Sequence, residues 1–195
     1  HYFFENKNTL HGFLKNVSES CKVGGFFICT SYDGELLFNE LKTKSKGESI
    51  SAYEKDNKIW EIIKQYDDDF FEANENSIGL AIDVYQESIN TYWKEYLVNY
   101  AYLEDLLMEY GFVRPSTEEI NKLGLESYTG NFQTIFDNIN TLFDKKDIGS
   151  SLNMRINEKK ISFLNRYLIL KKQNSTTKNI KKTVVKGKQK GKITI

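Results

Sequence analysis

The chain has 195 residues, enough for one compact domain with a tail, and its single proline, Pro115, excludes a long Pro-rich linker. Its formal net charge is zero, yet Lys171 to Ile195 holds nine Lys and no acid, which leaves 18 basic against 27 acidic residues on 1–170. No apolar run reaches the roughly 18 residues that span a bilayer, and no signal peptide opens the chain. Cys21 and Cys29 do not form the framework of a secreted disulfide domain, and neither has metal-ligand spacing with His1 or His11. They are expected as reduced, semi-buried thiols of an intracellular protein, without a metal site.

In chain order, His1 to Glu5 is short and aromatic and predicts the end of a buried strand. Asn8-Thr9 can cap a helix through Leu10, Phe13, Leu14 and Val17, which share one face. Gly24-Gly25 breaks that helix ahead of Phe26-Phe27-Ile28-Cys29-Thr30, an apolar run expected in a strand covered on both faces. Asp33-Gly34 is a turn signal, and Glu35 to Lys44 predicts a second helix with Leu36, Leu37 and Leu41 on one side. This order is that of an α/β sheet with crossover connections. One crossover pair cannot cover both faces of a parallel sheet, so further strands are expected ahead of His1.

The middle reads differently. Ile50–Tyr53, Lys58–Lys64 and Ile78–Tyr85 predict strands of an antiparallel insertion, separated by charged turns such as Asp67-Asp68-Asp69. After Glu95 to Val98, Tyr102 to Tyr110 predicts an amphipathic helix closed by Gly111. A polar stretch containing helix 132–139 follows, and the segment from Glu158 to Lys172 predicts the final strand. The domain is expected over 1–172, with the insertion at about 48–98 and a disordered Lys-rich tail or linker over 173–195. Such a tail suits a polyanion.

Several stretches carry a family resemblance. Lys22-Val23-Gly24-Gly25-Phe26-Phe27-Ile28-Cys29-Thr30 resembles the Gly-Gly turn before the fifth strand of class I methyltransferases, with Val23 where proline is usual. His1-Tyr2-Phe3-Phe4, about twenty residues earlier, is similar to a signature of the mRNA cap (guanine-N7) methyltransferases. Ser77 to Ser88, then Lys94-Glu95-Tyr96-Leu97-Val98, resembles that family's insertion strand and its acidic-aromatic motif. Ile161 to Tyr167 resembles the closing strand of large-DNA-virus capping enzymes. Each motif is modest alone; their joint order and spacing over residues 1–172 is specific.

The resemblance implies the C-terminal half of a class I, Rossmann-like, S-adenosylmethionine-dependent methyltransferase with a cap-binding antiparallel insertion. It implies transfer of a methyl group to guanine N7 of the mRNA 5′ cap, this chain supplying the guanine-binding half. His1 and Tyr2 would contact the guanine and Glu95 would accept from its Watson–Crick edge. Tyr167, or Asn165 under a two-residue shift, would line the pocket from the last strand. No catalytic side chain is implied, because N7 carries a free lone pair and needs only alignment. The family's cofactor loop is expected upstream of His1. The implied partners are the capped mRNA 5′ end and the other subunits of a capping complex, with neither membrane nor DNA. The implied location is a viral factory or virion for a viral protein, the nucleus for a cellular one. The alternative is a noncatalytic, methyltransferase-like stimulatory subunit.

Overall fold

The computed structural model describes residues 1–139, 144 and 148–173; the expected tail lies outside the described residues. Two antiparallel sheets organise the chain. The first is built on β8 (Asn165–Lys172), which pairs along one edge with β1 (Phe26–Tyr32). Its other edge is shared by β6 (Phe112–Val113) and β7 (Thr129–Asn131). The second is a meander of β2 (Ser49–Glu54), β3 (Asn57–Lys64), β4 (Ala81–Gln86) and β5 (Thr91–Tyr96).

Six α-helices are described over their whole length. They are α1 (Lys7–Ser20), α2 (Gly34–Glu40), α3 (Tyr100–Glu109), α4 (Thr117–Lys122), α5 (Phe132–Asp137) and α6 (Ile156–Ser162). Helix α1 starts from a reciprocal cap in which the Asn6 side chain accepts from Thr9 N while Thr9 Oγ1 accepts from Asn6 N. Asp33 caps α2 and Asn99 caps α3.

The mixed α/β class and the antiparallel middle agree with the sequence. Three local expectations need correction. His1–Glu5 is not a strand end: Tyr2–Glu5 is one turn of 3-10 helix, with Phe4 N donating to His1 O at 3.0 Å. Its aromatics diverge instead of alternating, since Phe4 is buried while Phe3 stacks on Phe13 with centroids 4.3 Å apart. Next, β1 is not covered on both faces. Phe27 and Cys29 pack inward, whereas Ile28 on the opposite face is 61% exposed. Last, the segment before Lys172 is not one strand. Glu158-Lys159-Lys160 are good helix formers, and Ile161 at the end of this helix and Leu164 in the turn after it both reach the core beneath the meander.

Two principal cores result. One lies between the inner face of the meander (Trp60, Ile62, Ile82, Val84) and Leu37, Leu41 and Tyr32. The other joins α1 and α3 to β8 through Leu10, Leu14, Leu107, Leu168 and Leu170. Asp33 and Gly34 stand where the two meet. Asp33 makes a parallel bridge with Val98, and Gly34 N donates to Val98 O at 3.0 Å. A Cβ on Gly34 would come within 2.4 Å of that carbonyl oxygen and 2.7 Å of the Phe71 ring, so only glycine fits.

Candidate functional site

The opening turn packs along the free edge of β5 and is pinned there by main chain, with Gly79 N donating to Phe4 O at 2.9 Å. Gly79 holds φ +91°, the left-handed region that favours glycine. With Phe4 buried and Asn6 starting α1 beyond it, His1 is delivered to the inner face of β5.

Glu95 waits on that face. It sits opposite Ile82, and strand alternation turns both toward the core beneath the meander. Its side chain is only 13% exposed, and Oε2 lies 3.8 Å from His1 Nδ1, too far for a hydrogen bond. Glu95 Oε2 and His1 Nε2 are both buried without a hydrogen-bond partner among the described residues. A buried polar atom left unpaired costs about 1–3 kcal/mol, so two together in a folded site point to a ligand that completes them. Burial raises the Glu95 pKa above the usual carboxylate range.

Of the other predicted residues, Tyr2 joins this pair. Its ring meets His1 edge-on, with centroids 4.1 Å apart and planes at 66°, and half of it is exposed. Tyr167 and Asn165 are committed elsewhere. The Tyr167 hydroxyl donates to Ser127 O at 2.9 Å and its ring packs against Gly130. The Asn165 amide donates to Ile161 O and Ser162 O, closing the end of α6. Tyr167 nevertheless shares a sheet face with Tyr32, because it pairs with Thr30, two residues away on β1.

Tyr32 is the residue that sequence reasoning passed over. It is buried, its hydroxyl accepts from Gln86 Nε2 at 2.9 Å, and burial followed by the Glu95 charge pushes its pKa up. It is thus a buried ring within reach of the Glu95 charge, tied to β4 through Gln86. Its only sequence signal was an aromatic residue directly ahead of the Asp33-Gly34 turn. Behind it, Arg166 Nε donates to Asp33 Oδ2 at 2.6 Å, which ties β8 to the cap of α2.

The arrangement offers a two-oxygen acceptor, an imidazole and an exposed aromatic ring at one spot. It offers no activated nucleophile, for burial pushes the nearby Cys29 thiol up to about 12, the wrong direction for reactivity. Among the described residues no group of three His, Cys, Asp or Glu is placed to hold a metal, and no helix is long and apolar enough to cross a membrane.

Comparison with known proteins converges on one family. A model of the mRNA (guanine-N(7))-methyltransferase domain matches residues 1–186. The chain is 33% identical over 151 residues to a probable mRNA-capping enzyme of Acanthamoeba polyphaga mimivirus, covering 74% of this chain and 12% of that protein. It is 27% identical over 134 residues to an mRNA cap guanine-N(7) methyltransferase of Eremothecium gossypii, covering 65% of this chain and 29% of that protein. The chain thus spans about an eighth of the first relative's length and less than a third of the second's.

Proposed function

Because this chain belongs to the mRNA (guanine-N(7))-methyltransferase family, we propose that residues 1–172 form the guanine-reading wall of an enzyme that methylates N7 of the mRNA 5′ cap. The observation that carries the proposal is the buried, unpartnered pair of Glu95 Oε2 and His1 Nε2. Guanine presents two donors on its Watson–Crick edge, N1–H and the 2-amino group, at a spacing that suits the two oxygens of a carboxylate. Adenine presents one donor and one acceptor there, and so leaves one oxygen opposed to a lone pair.

The charged acceptor in a nearly closed site makes each of those bonds stronger than a neutral amide would. His1 faces the carbonyl side of the base edge and Tyr2 offers its half-exposed ring to the purine. Tyr167, the fourth residue of the resemblance, is buried with its hydroxyl on Ser127 O and its ring against Gly130, so it is given no direct contact with the base. Gripping the Watson–Crick edge leaves N7, on the opposite edge of the purine, free and fixed in direction. N7 has a lone pair at neutral pH and no proton to lose, so positioning suffices and no general base is needed.

S-adenosylmethionine, the methyl donor of the family, supplies an electrophilic methyl group. The cavity beside His1, lined by Phe3, Phe13, Phe27 and Cys29 among others, is about 50 Å3. That is room for a water or two and does not fit an adenosine, so no residue here is assigned to the cofactor. The stimulatory-subunit alternative is weaker, because a scaffold gains nothing from an unpaired buried carboxylate.

The test is calorimetric titration of this chain and its Glu95→Gln variant with GTP. The variant keeps the shape and removes the charge, so binding should weaken roughly ten- to a hundredfold. Equal affinities would contradict the reading.

A further inference from the structure

Strand β5 carries two exposed aromatic residues in succession, Tyr92 and Trp93, and they are treated differently. On the outer face Tyr92 is engaged: it packs against Tyr85 with centroids 5.3 Å apart and bonds to Glu61 and Lys58. Tyr53 joins the same group around the Lys58 ammonium. Trp93 faces the other way. It is 52% exposed, and among the described residues its ring has no aromatic or cationic partner and its indole N–H no acceptor. The register pairs Trp93 with Val84 and Glu95 with Ile82, both core-facing, so Trp93 and Glu95 project from the same face of one strand. Two residues along a strand is about 7 Å.

We propose that Trp93 is a stacking platform for a second base, that of the nucleotide joined to the cap guanine through the triphosphate bridge. The inference rests on the reading of Glu95 as the guanine acceptor and extends it by one subsite. A flat, rigid ring left uncovered beside a base-reading carboxylate is what a neighbouring base would cover, and every base offers a π face to it. The flexible triphosphate lets the second base reach a ring about 7 Å away while the guanine stays on Glu95. Such a platform selects a dinucleotide cap over a mononucleotide without reading the second base's identity.

Fluorescence gives a direct test on this chain. The other tryptophan, Trp60, is buried and its indole N–H is held by Asn157 O at 2.8 Å, so a change in exposed-tryptophan emission reports on Trp93. GpppA should quench that emission and bind about tenfold more tightly than GTP, the scale of one base–aromatic stack. In Trp93→Ala the ratio of GpppA to GTP affinity should fall to about one, while Trp93→Phe, which keeps a ring, should retain most of the ratio. Equal wild-type affinities for GpppA and GTP, or a ratio unmoved by Trp93→Ala, would overturn the second subsite and leave the guanine reading standing, provided GTP still outcompetes ATP. Loss of that GTP-over-ATP preference in the wild type would overturn both.

Discussion

Lys172 and Glu95 are both charged side chains taken out of water, and their surroundings differ in one respect. Lys172 is 1% exposed at the end of β8, where Nζ donates to Ser18 Oγ at 2.6 Å and to Tyr110 O at 2.5 Å and lies over the Phe112 ring. Its donors are provided for by α1, the end of α3 and β6, so the group binds elements together. Glu95 is mostly enclosed, its side chain 13% exposed, yet its Oε2 meets no donor among the described residues, and Nε2 of the neighbouring His1 is equally unprovided. Saturation marks a polar group that serves the fold, and an orphaned pair marks one reserved for something outside it. Proteins commonly hold such unfavourable groups at sites of function, at some expense in stability.

Mutation should separate the two regions by sign. Lys172→Ala removes a long buried stem and its two hydrogen bonds and should lower stability by about 2–4 kcal/mol in urea unfolding. Glu95→Gln removes a buried, unpaired charge and should raise stability by about 1 kcal/mol while weakening guanine binding. A loss at Glu95 comparable with that at Lys172 would erase the distinction.

Titration should sharpen it further. Glu95 has a raised pKa in the folded chain, chiefly from burial, so the native state holds its proton to higher pH than the unfolded state does. Stability should therefore fall as pH rises from the ordinary carboxylate range through that raised value, and Glu95→Gln should flatten this slope. Guanine affinity should move the opposite way and drop as pH falls through the same window, because only the carboxylate accepts both donors. Burial lowers the Lys172 pKa, so the unfolded chain holds that proton to higher pH. Its contribution should be constant below the lowered value and become more favourable as pH rises toward the ordinary lysine range, a gain absent in Lys172→Met. Unfolding midpoints across pH for the two variants check both slopes.

The smallest effect belongs to Tyr2. Half exposed and touching His1 edge-on, it should cost less than about 0.5 kcal/mol of stability when replaced by Ala, while weakening GTP binding a few-fold. A large unfolding penalty would move Tyr2 from the site to the scaffold.

Much of this division was legible in the sequence where the local signal was long. The meander strands β2 to β4 and the helices α1 to α3 follow from apolar period and from breaks such as Gly24-Gly25, Asp33-Gly34 and Gly111, although α1 is capped by Asn6 and not by Asn8-Thr9. The opening turn was misread because one 3-10 turn is shorter than any period, and α6 because its seven residues abut a strand of the same apolar character. His1, Tyr2 and Glu95 were named through family resemblance, since their approach depends on Gly79 anchoring the opening turn 75 residues away in sequence from Phe4. Tyr32 and Trp93 were missed because only the strand register shows which face an aromatic residue takes. For Lys172 no sequence feature told a buried lysine from the basic run that begins beside it.

The claim that the orphaned pair reads guanine is tested most directly by titrating the wild-type chain with GTP, ITP and ATP in one calorimetric series. ITP keeps N1–H and lacks the 2-amino group, so it should bind about tenfold more weakly than GTP, the worth of one charge-assisted hydrogen bond. ATP, which opposes a lone pair to the carboxylate, should bind weakest. Equal affinity for all three would contradict the account.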